Sequence, residues 1–147
     1  DIFARGIIFG ALHPLSSGTS HPAQYAVAGV MKAVNDGTYN YRDDVLEYGK
    51  KAKMMKDAFT SNGFKFTYDE DLGEPIADGF YFTYYYPGFT GAELLEKMLY
   101  YGISAISLDT CGSTRQGIRA CTSLIQRDEI PVLAERLKRF AEDHPIE

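Results

Sequence analysis

The spacing of hydrophobic residues follows a helical period in the first half of the chain. Apolar residues recur three and four positions apart over 21–35 and again over 41–60, which predicts two amphipathic helices. Ser20 is expected to cap the first helix, and the Asn35-Asp36-Gly37 sequence to end it. Ahead of them, the sequence predicts an apolar opening strand or coil and then a Ser/Gly/Pro-rich loop over 12–20.

After residue 63 the pattern changes to the period of two that is typical of strands. Strands are predicted over 64–68, 80–86, 103–108 and 118–125. The acidic segment 69–75 is expected to be a solvated loop, and 109–116 a polar loop. Thr90 and Glu93 form a capping box that opens a helix, with Gly102 at its end. A last amphipathic helix starts near Asp128 and finishes before Pro145.

The order of these elements, ααββαββα, predicts an α+β fold. In such a fold helices cover one face of a small, mainly antiparallel sheet. The opening residues have no features of a signal peptide and suggest the interior of a longer protein.

Charge and composition narrow the classes of partner. The formal net charge is −5 and the lysines and arginines are scattered, which argues against nucleic acid as a partner. No apolar run approaches the roughly 20 residues that would span a membrane, so we expect a cytoplasmic protein. Cys111 and Cys121 lack the spacing of a disulfide framework or a zinc site and are expected to be reduced thiols.

The segment 109–121 carries the most informative chemistry. A polar loop with two glycines enters an apolar strand through Gly117-Ile118-Arg119. In the simplest interpretation Arg119 lies on the exposed face of the strand or pairs with an acidic neighbour. In the functional interpretation its planar guanidinium is a bidentate fork for a carboxylate, which lysine would bind less well.

Gly117-Ile118-Arg119, after a polar turn and before a terminal amphipathic helix, resembles the closing motif of fold-type I (class I/II) pyridoxal-phosphate-dependent aminotransferases. The aromatic segment at Gly79-Phe80-Tyr81-Phe82 is similar to another segment of that family, and the elements follow the family's order over nearly the whole chain. The resemblance implies a C-terminal small domain over 21–147, with 1–20 leading in from a large domain.

The resemblance also implies roles for individual residues. Arg119 would bind the substrate α-carboxylate, and the hydroxyls of Ser17, Thr19 and Ser20 would approach the phosphate of pyridoxal 5′-phosphate. Turn formation and helix capping are the alternative roles of these three. The parent enzyme would exchange an amino group between an amino acid and a 2-oxo acid, as a homodimer.

No lysine of the chain follows the Ser/Thr-containing turn that precedes the family's Schiff-base lysine. All lysines fall in predicted helices or a strand and are expected to be solvated. We therefore expect this chain alone to have no catalytic residue and to be inactive, the lysine and the ring contacts being supplied by the large domain.

Other chemistries fit less well. His13 and His21 flank a loop without a further ligand between them, so no metal site is expected. A triad of Ser17, His21 and Asp36 has no nucleophile-elbow motif to support it. Two alternatives stay open: a stand-alone α+β module that binds a small carboxylate, and a pyridoxal-phosphate lyase, racemase or decarboxylase of the same fold.

Overall fold

A four-stranded antiparallel sheet lies in the second part of the chain, with its strands in the order 65–66, 81–85, 118–121 and 106–107. The structure is a computed structural model that describes residues 1–76 and 79–146, and it confirms the predicted α+β class. The strands are β1 (Lys65–Phe66), β2 (Glu70–Asp71), β3 (Glu74–Pro75), β4 (Tyr81–Tyr85), β5 (Ile106–Ser107) and β6 (Ile118–Cys121).

The helices account for most of the regular structure. They are α1 (Ile2–Arg5), α2 (His13–Ser16), α3 (His21–Asn35), α4 (Tyr41–Thr60), α5 (Gly91–Tyr100) and α6 (Ile130–Asp143), with a π-helical segment at Gly6–Leu12 between α1 and α2. Among residues 1–76 and 79–146, no helix combines the length and the apolar character needed to cross a lipid bilayer.

The chain divides into two compact units, and the division falls inside α4. The first unit is Asp1–Asp44, and the second begins at Val45. The apolar positions of α3 are exposed in the first unit, as are the opening helical residues. The second unit holds the sheet and the hydrophobic core.

The core lies on one face of the sheet because alternate residues of each strand point to it. Phe82, Tyr84, Ile118 and Ala120 are buried there. They pack in one cluster with residues of the helices, namely Ala52, Met55, Ala58, Phe59, Leu94, Met98, Ile130, Leu137 and Phe140. The rings of Phe59 and Tyr84 stack in parallel at 4.2 Å between centroids. Helices therefore cover this face, as predicted.

We call the opposite side of the central strands the open face, and define it by Tyr81, Thr83, Arg119 and Cys121. Tyr81 and Cys121 are exposed, and Thr83 and Arg119 are half-buried. In the register of β4 and β6, Tyr81 lies opposite Cys121 and Thr83 opposite Arg119.

Several predicted elements agree with the structure. The two long helices at His21–Asn35 and Tyr41–Thr60 are confirmed, as is the last helix. The capping box is present in both directions: Glu93 N donates to the Thr90 hydroxyl, and Thr90 N donates to the Glu93 carboxylate at 2.9 Å. Gly102, expected at the end of the helix that the box opens, has a φ of +70°.

The prediction for the opening residues was wrong. Residues 2–16 are helical rather than strand, coil and loop, and only Ser17 to Ser20 separate them from α3. The Asp1 side chain caps the segment by accepting a hydrogen bond from Phe3 N at 2.9 Å. Pro14 lies at the start of α2 within this helical run, and it has no N–H to donate to the preceding π-helical turn.

The acidic loop over 69–75 is also corrected, because β2 and β3 form an exposed two-stranded hairpin there. Leu72 and Gly73 both have positive φ, at +52° and +82°, as the two central residues of a tight hairpin turn require. Leucine is unusual at such a position, which is why the sequence did not predict a turn.

The other strands are shorter than predicted. Regular pairing is confined to two residues within 64–68, two within 103–108 and four within 118–125. The last of these ends at Cys121, and beyond it the carbonyls of Ser123 and Ile125 accept hydrogen bonds from Lys51.

Candidate functional site

Arg119 is the central residue of the open face. Its guanidinium carbon Cζ lies 4.5 Å from the centroid of the Tyr81 ring, a distance at which cation and aromatic face attract each other. The ring is the diagonal neighbour of Arg119 across the β4–β6 pair. Within residues 1–76 and 79–146, no carboxylate forms an ion pair with Arg119. The Tyr81 ring therefore orients the guanidinium, and no carboxylate of the described residues neutralises its positive charge.

The structure explains why the residue two positions before Arg119 is a glycine, Gly117. Its φ is +139°, and a Cβ there would lie 2.4 Å from the Tyr84 carbonyl oxygen and 2.7 Å from the Thr67 hydroxyl. Gly117 O also accepts a hydrogen bond from Leu108 N at 2.9 Å. Only glycine fits this close approach, so it sets where β6 begins and which face Arg119 occupies.

A second arginine lies beside the open face and was not predicted as a site residue. The Nη1 of Arg115 donates to the Thr67 carbonyl oxygen at 2.8 Å, and its Cζ lies 4.7 Å from the centroid of the Tyr68 ring. The Tyr68 and Ser113 hydroxyls are hydrogen-bonded at 2.7 Å. Arg115 is in a polar loop, where the sequence gives no period that could place its side chain. The alternation of β4, in contrast, could have indicated Tyr81.

The predicted phosphate ligands belong to the first unit. Ser17 has a left-handed backbone with φ of +54° at the end of α2, and Ser20 occupies the N-cap position of α3. Ser20 makes no side-chain cap hydrogen bond, although the helix begins where predicted. In the described part of the chain, the hydroxyls of Ser17, Thr19 and Ser20 have no hydrogen-bond partner. They are free to donate to a phosphate, and their chemistry fits that group.

Lys51 corrects the expectation that all lysines are solvated. Its side chain is buried, with 7% of the residue exposed. The ammonium donates to the Ser123 and Ile125 carbonyl oxygens at 3.3 and 3.0 Å and lies 4.8 Å from the Tyr48 ring centroid. These contacts give Lys51 a structural role in joining α4 to the segment after β6.

A cleft of about 520 Å³ on the helical side of the sheet is a weaker candidate. It is lined mainly by apolar residues and includes Arg136, whose Nη1 donates to the Gly102 carbonyl oxygen at 2.7 Å. Glu129 lines the same cleft and would repel a carboxylate. The open face is therefore the better site for an anion.

The side chains that could bind a metal ion are His, Cys, Asp and Glu. Within the two described stretches, 1–76 and 79–146, no group of three or more His, Cys, Asp or Glu residues could hold a metal ion. Cys111 and Cys121 are both free and exposed.

Comparison with known proteins does not identify a family. The sequence matches no protein-family model. No curated protein matches it significantly.

Proposed function

We propose that the chain is the C-terminal small domain of a cytoplasmic, pyridoxal-phosphate-dependent aminotransferase. The observation that supports this most directly is the state of Arg119. The residue is half-buried on the open face, its guanidinium is held against Tyr81, and no carboxylate of the described residues neutralises it. A folded chain keeps such a charge at a cost in solvation, which a ligand carboxylate would offset.

In this proposal Arg119 binds the α-carboxylate of the amino acid or 2-oxo acid. Its two parallel N–H donors fit the two carboxylate oxygens, so they fix both the position and the plane of the group. Tyr81 limits the rotation of the guanidinium and so reduces the entropy lost on binding. A carboxylate fixed in this way also fixes the orientation of the Cα–H bond, which the reaction must break.

The hydroxyls of Ser17, Thr19 and Ser20 would hold the cofactor phosphate. Pyridoxal phosphate, when bound, supplies an electron sink that stabilises negative charge at Cα. We assign the lysine and the ring contacts to a large domain outside this chain, because Lys51 is committed to two carbonyl groups. A homodimer is expected for the complete enzyme.

The test uses the natural full-length product, purified with pyridoxal phosphate and treated with borohydride, alongside the 147-residue chain. Covalent retention of the cofactor by the full-length product, and its absence from the chain, is the expected result. Transfer of an amino group from an amino acid to a 2-oxo acid would then identify the reaction. A full-length product that retains no cofactor would refute the proposal.

A stand-alone module that binds a small carboxylate is the second candidate. It is favoured by the contact of Arg119 with Tyr81, which orients a guanidinium for a carboxylate without any cofactor. Carboxylate binding without cofactor retention would support the module. A lyase, racemase or decarboxylase would retain the cofactor and would be distinguished by its product.

A further inference from the structure

The edge of β6 is left uncovered where β5 ends. The first residue of β5, Ile106, lies opposite Arg119. Two positions further along the same register, Ser104 would lie opposite Cys121. Ser104 is outside β5, however, and within residues 1–76 and 79–146 no backbone hydrogen bond joins it to Cys121. The C-terminal end of β6 therefore has a strand neighbour on the β4 side alone.

The alternation of the backbone shows where the hydrogen-bonding groups of Cys121 point. Thr122 N donates to Phe80 O at 2.9 Å, so the backbone of Thr122 faces β4. Successive residues of a strand face opposite sides in the plane of the sheet, so the N–H and C=O of Cys121 point away from β4. Leu108 N donates to Gly117 O at 2.9 Å, which agrees with this alternation. We call the outward-pointing N–H and C=O of Cys121 the free edge.

The free edge borders the cleft of about 520 Å³, since Ser104 and Cys121 both line it. Leu124 also lines the cleft, with 88% of the residue exposed. The floor consists of buried apolar residues, namely Met55, Phe59, Ile103 and Ala120. The volume lies in the range of about 300 to 1,000 Å³ that is typical of ligand sites. An unpaired backbone donor and acceptor thus lie beside an apolar hollow.

These two features together select an extended chain as the occupant. A residue opposite Cys121 in an added strand would exchange both backbone hydrogen bonds with it. Its side chain would lie on the open face with that of Cys121, because opposite residues share a face. The two neighbouring side chains would point to the other face, where Ala120 lines the cleft. The occupant therefore has apolar residues at alternate positions.

The charges at the cleft favour a peptide over an anion. Arg136 and Glu129 both line the cleft, and in the described part of the chain neither forms an ion pair. Arg136 donates to Gly102 O, and the Glu129 carboxylate accepts from Gln126 N, each at 2.7 Å. The two opposite charges complement a segment without net charge. A second copy of the chain would bring the same concave surface, whereas a single extended peptide can fill it.

From this arrangement we infer that the free edge at Cys121 binds an extended peptide segment of a protein partner as an added strand. Apolar side chains at alternate positions of the peptide occupy the cleft. This interaction is separate from the proposed function, because it uses the cleft and the edge of β6 and does not involve Arg119.

The experiment is an NMR titration of the 147-residue chain with the uncharged peptide acetyl-Ser-Leu-Thr-Leu-Ser-amide. Amide hydrogen exchange reports the pairing directly. In the free chain the Cys121 amide should exchange faster than the Thr122 amide, which is bonded to Phe80 O. The peptide should slow the exchange of Cys121. Methylation of the threonine nitrogen removes the donor to Cys121 O and should weaken binding about two- to tenfold, as for the loss of one hydrogen bond.

Variants of the chain test the edge and the cleft separately. Cys121→Pro removes the N–H of the free edge, at a position where proline is tolerated because that N–H points away from the neighbouring strand, and it should weaken binding to a similar extent. Cys121→Ser is the control, since it keeps the backbone and should bind normally. Leu124→Ser should weaken binding about fivefold by removing apolar contact. Leu72→Ser is its matched control, because Leu72 is equally exposed but lies in the β2–β3 hairpin.

Three results would overturn the inference: no binding at millimolar peptide, equal affinity for the peptide and its N-methylated form, or a Cys121 amide already protected by dimerisation of the chain. The last result, measured by sedimentation, would make a second copy the occupant. If Cys121→Pro does not fold, the N-methylated peptide decides the question. Cofactor retention by the full-length product has no bearing on these outcomes, so the two proposals stand or fall separately.

Discussion

The ammonium of Lys51 donates a hydrogen bond to the backbone carbonyl oxygen of Ile125 at 3.0 Å, across 74 positions of sequence. The same ammonium donates to Ser123 O at 3.3 Å. One side chain of α4 therefore satisfies two carbonyl groups in the segment between β6 and α6.

Replacing Lys51 by methionine should lower the free energy of unfolding by about 2 kcal/mol. Methionine keeps most of the apolar length of the side chain but leaves both carbonyl groups without their donor. Urea denaturation of the variant measures the loss. Lys53→Met is the control, since Lys53 is exposed and pairs with Asp57 along α4, and it should change stability by less than about 0.5 kcal/mol. Equal stability of the two variants would contradict a structural role for Lys51.

Arg119→Ala should separate function from stability. In the proposed full-length aminotransferase we expect kcat/KM to fall by the equivalent of about 2 to 5 kcal/mol, as when one partner of a desolvated charge pair is removed. In the 147-residue chain the melting transition should shift little, because the stacking on Tyr81 contributes only about 0.5–1 kcal/mol. Steady-state kinetics tests the expected loss of kcat/KM, and calorimetry tests the expected small shift of the melting transition. Unchanged kinetics would exclude Arg119 as a substrate ligand.

Gly117→Ala should be strongly destabilising, by about 3 kcal/mol or more. The added Cβ would meet the Tyr84 carbonyl oxygen and the Thr67 hydroxyl at less than contact distance, on a backbone that alanine rarely adopts. Gly112→Ala is the matched control in the same loop, because Gly112 also has a positive φ but has no atom near its Cβ position. It should cost only the backbone strain, about 1 kcal/mol. Thermal unfolding measures the destabilisation caused by each variant. The difference between the two values is the cost of the steric clash at Gly117.

The capping box predicts a pH dependence with a defined sign. Hydrogen bonds from the Thr90 backbone and side chain lower the pKa of Glu93 below its ordinary value of 4.5. A carboxyl whose pKa is lower in the folded state contributes stability above its unfolded pKa, and this contribution is lost as the pH falls through the folded pKa. The melting temperature of the chain should therefore decrease below about pH 4.5, and part of this decrease should be missing in Glu93→Gln. An identical acid profile for both proteins would contradict the prediction.

The sequence predicted what depends on local order. The bounds of α4 and the capping box before α5 follow from spacing and from two side chains three residues apart. The extent of β6 could not be predicted, since the apolar pattern continues to Ile125 whereas pairing with β4 and β5 ends at Cys121. The opening helical residues were missed because Gly6, Gly10 and Pro14 are poor helix formers, although Ile8, Leu12 and Leu15 have helical spacing.

The residues of the candidate site also differ in whether the sequence could indicate them. Arg119 was predicted because an arginine between two apolar strand residues is conspicuous, and Tyr81 could have been found from the alternation of β4. Arg115 could not, because its position depends on the fold of the loop and on a hydrogen bond to Thr67. Family membership and the reaction stay predictions.

The antiparallel register that sets Tyr81 opposite Cys121 joins residues about forty positions apart. Such pairing requires a long loop to close, and the entropy lost on closure is offset only once the strands are in contact. The pairing therefore forms later than the helices on either side. During synthesis, β4 leaves the ribosome before β6. Until β6 follows, the backbone N–H and C=O groups of β4 that pair with β6 have no strand partner. The residues that would bind a carboxylate thus come together only after β6 has been synthesised, and a nascent chain that stops before Ile118 would expose an aromatic strand prone to aggregation.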